Sequence, residues 1–164
     1  MRIIPRIEIK NNSVIKGINF EGLRKIGDPN ILGKKYYLDG ADELLFMDVV
    51  ASLYGRNNIF EIIKKITKDI FIPITVGGGI RSVEDIQQAL NSGADKVAIN
   101  SAAVKDPKFI KQAVSFFGSS TIVVSIETRK NRKNIWEVYT HNGRDVTGIN
   151  LKDWLKKIQQ FKCG

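Results

Sequence analysis

One cysteine, one histidine and no long apolar run set the first limits on this 164-residue chain. Cys163 cannot form an internal disulfide, and its place beside the last residue gives it no catalytic setting. Zinc sites are built from several His and Cys ligands, so no metal is expected. A Cys–His or Ser–His–Asp apparatus would have to rest on His141, which lies in a polar Thr140-His141-Asn142-Gly143 stretch. No segment approaches the roughly 20 apolar residues of a membrane-spanning helix. Arg2, Arg6, Glu8 and Lys10 interrupt the start of the chain in a way no secretory leader tolerates. The expectation is a cytoplasmic protein with no membrane partner and no cofactor.

Charge is one-sided, with 26 Lys+Arg against 17 Asp+Glu and a net charge of +9. Such a balance suits nucleic acid, an anionic metabolite or an acidic partner. The lysines fall mostly along helical stretches, as at Lys64, Lys65 and Lys68 or Lys152, Lys156 and Lys157. No platform of basic residues interleaved with exposed aromatics is read, so nucleic acid is not expected as a partner.

What is present is alternation. Short apolar runs at Ile3–Ile9, Glu43–Asp48, Ile72–Val76, Lys96–Ile99 and Thr121–Ile126 read as strands. Amphipathic stretches near Pro29–Leu38, Ile59–Asp69, Val83–Asn91, Pro107–Phe116 and Leu151–Phe161 read as helices. That order predicts an α/β fold with a parallel sheet. Asp28-Pro29 and Asp106-Pro107 place an N-cap before a first-turn proline, and Ser82 with Asp85 resembles a capping box. Gly40 and Gly118 stand where helices should end. Gly40–Asp48 is echoed in pattern by Gly93–Asn100, two βα units on, which suits a barrel better than an open sheet. Five βα units are legible, whereas an eight-unit barrel takes about 250 residues. The expectation is one partial barrel domain over residues 1–164, cut after its fifth helix.

The strongest local signal is Thr75-Val76-Gly77-Gly78-Gly79-Ile80-Arg81-Ser82, a strand running into three glycines and a capped helix. Glycines there let the backbone approach an anion, and the helix N-terminus favours negative charge. Asn100 and Ser101, at the end of the next strand, suit a phosphate pocket beside Gly78 and Gly79. Glu8 and Glu127 are placed near the ends of strands one and five, which face each other across a barrel mouth; opposed carboxylates there suit acid–base work. Asp48 ends strand two as a third candidate, for binding. Arg2, Glu43 and Lys96 begin strands one, two and four, where a ring of alternating charge could form a gate.

In combination these motifs resemble the cyclase subunit of imidazole glycerol phosphate synthase, a (β/α)8 TIM-barrel family. The resemblance rests on Arg2–Pro5, Val14–Glu21, Gly27-Asp28-Pro29, Gly40–Asp48, Ala51-Ser52, Gly55-Arg56, Gly77–Arg81, Lys96–Ala103 and Thr140–Gly143. A related isomerase barrel of the same pathway shares the triple glycine. The Val14–Asp28 loop and the Thr140–Gly143 hairpin look like the cyclase instead. The resemblance implies that ammonia from a partner glutaminase attacks a bisphosphorylated formimino aminoimidazole carboxamide ribotide, giving imidazole glycerol phosphate for histidine biosynthesis. It implies that Gly79, Asn100 and Ser101 hold one phosphate and that Lys16 sits in a mobile loop over the site. Arg2, Glu43 and Lys96 match three of four ammonia-gate positions, and Asp95 would face the glutaminase.

One departure stands out. The family's acid and base are aspartates, and here both positions carry glutamate, Glu8 and Glu127. Intrinsic acidity hardly changes, but one methylene moves the carboxylate by about an ångström, and such displacement can cost on the order of 10²-fold in rate. Carboxylate-substituted relatives resemble a side branch that delivers ammonia for surface-sugar amidation, which is the alternative to a cyclase. Which carboxylate would be acid and which base stays open.

Overall fold

A computed structural model describes residues 1–18, 22–51 and 59–164. In chain order it contains β1 (Arg6–Lys10), β2 (Ser13–Ile18), β3 (Gly22–Gly27), α1 (Pro29–Leu38), β4 (Leu44–Asp48) and α2 (Ile59–Ile66). There follow β5 (Ile74–Gly77), α3 (Val83–Asn91), β6 (Lys96–Ile99), α4 (Ser101–Lys105), α5 (Pro107–Phe117) and β7 (Ile122–Val124). The described chain ends with β8 (Glu127–Lys130), β9 (Trp136–Thr140), β10 (Asp145–Asn150) and α6 (Leu151–Gln159). One sheet runs β3-β2-β1-β4-β5-β6-β7, and a second, smaller sheet runs β10-β9-β8.

The ladders β1–β4, β4–β5, β5–β6 and β6–β7 are all parallel. Side chains alternate across such strands, and this sheet uses its two faces differently. Ile7, Ile9, Leu44, Phe46, Ile74, Val76, Val97, Ile99 and Ile122 join one large core with Ile59, Ile63, Ile86, Ile110 and Trp154 of the helices. The ring of Phe46 comes so close to α1 that a Cβ on Gly33 would sit 3.0 Å from its Cζ. The opposite face carries a small core of Ile15, Met47, Val49, Val50 and Ala98, flanked by Leu45 and Val123. Register places Glu8 in the same row as Met47, Gly77, Ala98 and Val123. Gly77 is small there because a Cβ would meet the Met47 thioether at 2.6–2.8 Å and Ala98 at 3.1 Å.

The sequence echo has a physical basis. Asp42 bonds through its N–H to the Ile3 carbonyl (3.0 Å) and accepts the Ile3 N–H on its carboxylate (2.6 Å). Asp95 does the same to Ile74, at 2.8 Å in each direction. Each Gly-Ala-Asp segment thus leaves a helix at a glycine of positive φ, Gly40 (89°) or Gly93 (101°), and clips the neighbouring parallel strand before its own begins.

The predicted caps form: Asp28 accepts from Asn30 and Ile31, Asp106 from Lys108, and Ser82 and Asp85 close a full capping box. Gly118 caps α5. Two expectations need correction. The Val14–Asp28 stretch is not a loop: β2 pairs with β1 and with β3, because Val14 and Ile15 are buried on opposite faces of a twisted hairpin. Its Asn19, Phe20 and Glu21, like Ser52, Gly55 and Arg56, lie outside the described residues. Strand five ends early; the ladder stops once Ser125 has bonded Ile99, and Glu127 opens β8 of the second sheet instead. Beyond its Thr140–Gly143 hairpin that sheet was not read, nor were its basic–aromatic pairs, Lys130 over Trp136 (5.3 Å) and Arg129 over Tyr139 (5.5 Å).

Gly78 has φ +95°, and a Cβ there would lie 2.1 Å from the Asp48 carbonyl oxygen. Gly40 has a similar φ of +89° with nothing within 4 Å. Gly40→Ala should therefore cost about 1–2 kcal/mol, the backbone penalty alone. Gly78→Ala must also push two strand ends apart, and should lower the urea midpoint distinctly further than Gly40→Ala does.

Candidate functional site

A cleft of about 980 Å³ opens at the C-terminal ends of the parallel strands. It is lined by Met47 and Asp48 at the end of β4, Gly78 and Gly79 after β5, and Asn100 and Ser101 after β6. Glu127 and the Thr140-His141-Asn142 turn of the second sheet complete that side. Six of the residues singled out in the sequence, Asp48, Gly78, Gly79, Asn100, Ser101 and Glu127, thus share one cavity.

The triple glycine serves two needs. Gly78 packs its backbone onto Asp48, as the contact above requires, and Gly79 also has positive φ, 73°. At the head of α3 the capping box already engages local amides, since Asp85 accepts from both Arg81 N (2.8 Å) and Ser82 N (3.1 Å). The head of α4 differs: Asn100 makes no side-chain cap bond to it, and its Oδ1 is buried without a partner among the described residues. Its Nδ2 donates instead to the Tyr139 carbonyl at 3.3 Å.

Two carboxyls in the cleft are held above the ordinary carboxylate range. For Asp48 burial is the larger influence, and the amides of Val50 and Ala51, each 2.9 Å from Oδ1, only partly offset it. For Glu127 burial again dominates; the Gly143 amide (2.9 Å), the Arg6 guanidinium and Asn100 pull down, while the charge of Glu8 pushes up. Glu8 and Glu127 are therefore within electrostatic range of each other, although Glu8 does not line the cleft. Glu8 is engaged by Arg6 at 2.9 Å, two residues away on the same face of β1. Arg6 was missed in the sequence, yet its spacing from Glu8 was a usable signal.

At the opposite ends of the strands, Arg2, Glu43 and Lys96 do come together. Glu43 is buried, with Lys96 Nζ at 2.7 Å and Arg2 at 3.6 Å from Oε2. Thr75, also missed, donates to Oε1 at 2.6 Å. Burial disfavours the Glu43 charge, but the bonds from Lys96 and Thr75 and the charges of Lys96 and Arg2 outweigh it, so its carboxyl sits below the usual range. Two residues stand apart from both clusters. Lys16 lies on β2, exposed and opposite Arg24, not in a loop. Asp95 is exposed and engaged with Ile74. Among the described residues no group of three or more His, Cys, Asp or Glu could hold a metal.

A group whose folded pKa is depressed stabilises the fold above its unfolded pKa and loses that contribution as pH falls through the folded value. The stability gap between wild type and Glu43→Gln should thus be full above about pH 5 and shrink as pH falls below about 4, near the ordinary glutamate value. Urea unfolding from pH 7 to pH 3 reads it.

Comparison with known proteins bears directly on this cleft. Residues 2–164 match the family model described as "Histidine biosynthesis protein". Over all 164 residues the chain is 52% identical to imidazole glycerol phosphate synthase subunit HisF of Legionella pneumophila, covering 77% of that relative. With parallel β/α units, a cleft at their C-terminal ends and a match along almost the whole sequence, the chain belongs to the histidine biosynthesis protein family, whose fold is the TIM barrel.

Proposed function

We propose that the chain is the cyclase component of imidazole glycerol phosphate synthase, using ammonia to close the imidazole ring of a bisphosphorylated formimino aminoimidazole carboxamide ribotide. The observation that carries this reading is the single cleft holding Asp48, Gly78, Gly79, Asn100, Ser101 and Glu127, in a chain 52% identical to a HisF subunit. One phosphate would rest against Gly79, Asn100 and Ser101, where Asn100 leaves the head of α4 uncapped. Asp48 would hold the substrate, and Lys16 would contribute from the hairpin beside β1. The small residues Gly77 and Ala98 share a row with Met47 between the two charged ends of the sheet, an apolar stretch that suits neutral ammonia.

Ammonia would enter at the Arg2, Glu43 and Lys96 cluster, supplied by a glutaminase subunit docked near Asp95. With Glu43 bonded to both Lys96 and Thr75, passage needs at least one of those bonds to open. Glu127 and Glu8 would be the acid–base pair. Attack on the formimino carbon turns an ammonia N–H into a departing proton, and the leaving nitrogen needs one in return. A carboxyl whose pKa is raised by burial is better placed to hold that proton near neutral pH than an ordinary one.

A second reading is favoured by two observations: both carboxylates are glutamates, and Glu8 is engaged by Arg6 at 2.9 Å. On that reading the subunit conducts ammonia toward amidation of a surface sugar and cyclises little. Turnover of the ribotide with ammonium as nitrogen donor separates the two. On the cyclase reading the natural protein is active, and Glu127→Gln lowers kcat by about 10²–10⁴-fold with KM little changed. No activity in the natural protein, gained only on Glu8→Asp with Glu127→Asp, overturns the cyclase reading of the natural chain.

A further inference from the structure

The turn between β9 and β10 is built in an unusual backbone conformation. His141, Asn142 and Gly143 have φ of 51°, 59° and 74°, three successive left-handed residues closed by the bond from Arg144 N to Thr140 O at 3.1 Å. Such a run disfavours most L side chains, with asparagine, aspartate and histidine the best tolerated. It aims two amides at the cleft. His141 N donates to Ser101 Oγ at 3.1 Å, and Gly143 N donates to Glu127 Oε2 at 2.9 Å. Between them, Asn142 Nδ2 donates to the Val49 carbonyl at 2.5 Å, across 93 residues of sequence. Val49 follows Asp48 directly at the end of β4. Next to the turn, Asn100 Nδ2 donates to the Tyr139 carbonyl over a longer 3.3 Å. His141 Nδ1 lies 2.8 Å from Oδ2 of Asp145, the first residue of β10, a contact local to the hairpin.

We propose that Asn142 is a positioning residue: it pins the turn to the end of β4, so that the Gly143 amide orients the Glu127 carboxylate and the His141 amide orients the Ser101 hydroxyl. One side chain thereby links the strand end beside Asp48, the acid–base candidate and the phosphate candidate. An amide is suited to the task because asparagine both accepts the left-handed backbone and donates to the carbonyl. The proposal rests on the reading of Glu127 as the acid–base residue only for its kinetic consequence; its geometric content stands without it.

The test follows the Glu127 carboxyl by carbon NMR titration, alongside the pH dependence of kcat, in the natural chain, Asn142→Gly and Asn142→Ala. Groups facing Glu127 from the packed elements are Arg6 and Glu8 of β1 and Asn100 after β6, with Asp48 and His141 in the same cleft; none is altered by either variant. Glycine keeps the left-handed backbone and alanine does not, yet both lack the amide. Losing an oriented N–H donor to the charged form should move the Glu127 midpoint upward by roughly one unit in both variants. The kinetic limb belonging to Glu127 should move with it, and kcat should fall by on the order of tenfold. A Glu127 midpoint in Asn142→Gly equal to that of the natural chain overturns the proposal, because only backbone conformation would then matter. If Glu127→Gln leaves turnover intact while the midpoint still moves, the acid–base reading fails and the positioning survives.

Discussion

Register is the constraint on which the rest of this structure depends. Each parallel strand carries apolar residues for the helical core on one face and, on the other, the charges and small residues of the interior. A slip of one residue in any ladder would exchange the two faces. Ile7 and Ile9 would leave the helical core, and Glu8 would enter it together with Arg6, a burial of two charges that costs more than their attraction returns. The same slip between β4 and β6 would separate Glu43 from Lys96, which meet across β5 only because Thr75 stands level with Lys96. The two aspartate clips, Asp42 on Ile3 and Asp95 on Ile74, fix that alignment at the strand starts, where the apolar pattern is weakest. Asp95 thus has a structural duty that any role at an interface must accommodate.

Much of this was legible in the sequence where the signal is local. The five parallel strands fall within a few residues of their apolar runs, and every cap argued from Asp-Pro or Ser-x-x-Asp forms. The echo Gly-Ala-Asp was visible as a pattern, but its meaning as a clip required the neighbouring strand. Thr75 was illegible for the same reason: a hydroxyl inside an apolar strand gains significance only from the register that sets it against Glu43, whereas Arg6, two residues from Glu8 on the same face, was open to reading.

The second sheet shows the other limit. Trp136-Glu137-Val138-Tyr139-Thr140 has the residue types of a strand, and Val138 and Thr140 are buried. Its partner β8 reads Glu-Thr-Arg-Lys, with hardly an apolar residue, because its face is covered by cation–π contacts rather than by a core. Periodicity cannot find a strand whose stabilising neighbours are aromatic faces on the adjacent strand. The displacement of Glu127 from the end of β7 to the start of β8 follows from that omission. Glu127 still lines the cleft because the chain turns back over the same strand ends, whereas Glu8 does not.

That displacement also bears on the exchange of aspartate for glutamate. A carboxylate at the end of a short barrel strand is held by its own backbone. One that opens a separate sheet depends on whatever the sheet brings to it, and Glu127 is held by the Gly143 amide of the facing turn. The extra methylene lengthens the reach from β8, and the turn supplies the donor that limits where the longer side chain can go. Glu8 has its own restraint, a single contact of 2.9 Å from the Arg6 guanidinium two residues away. The two glutamates are therefore constrained by different means, one by a backbone amide in a half-buried setting and one by a side-chain guanidinium. On the acid–base reading this asymmetry assigns the proton-holding task to Glu127, since burial favours its neutral form, and leaves Glu8 as the group whose charge raises it further.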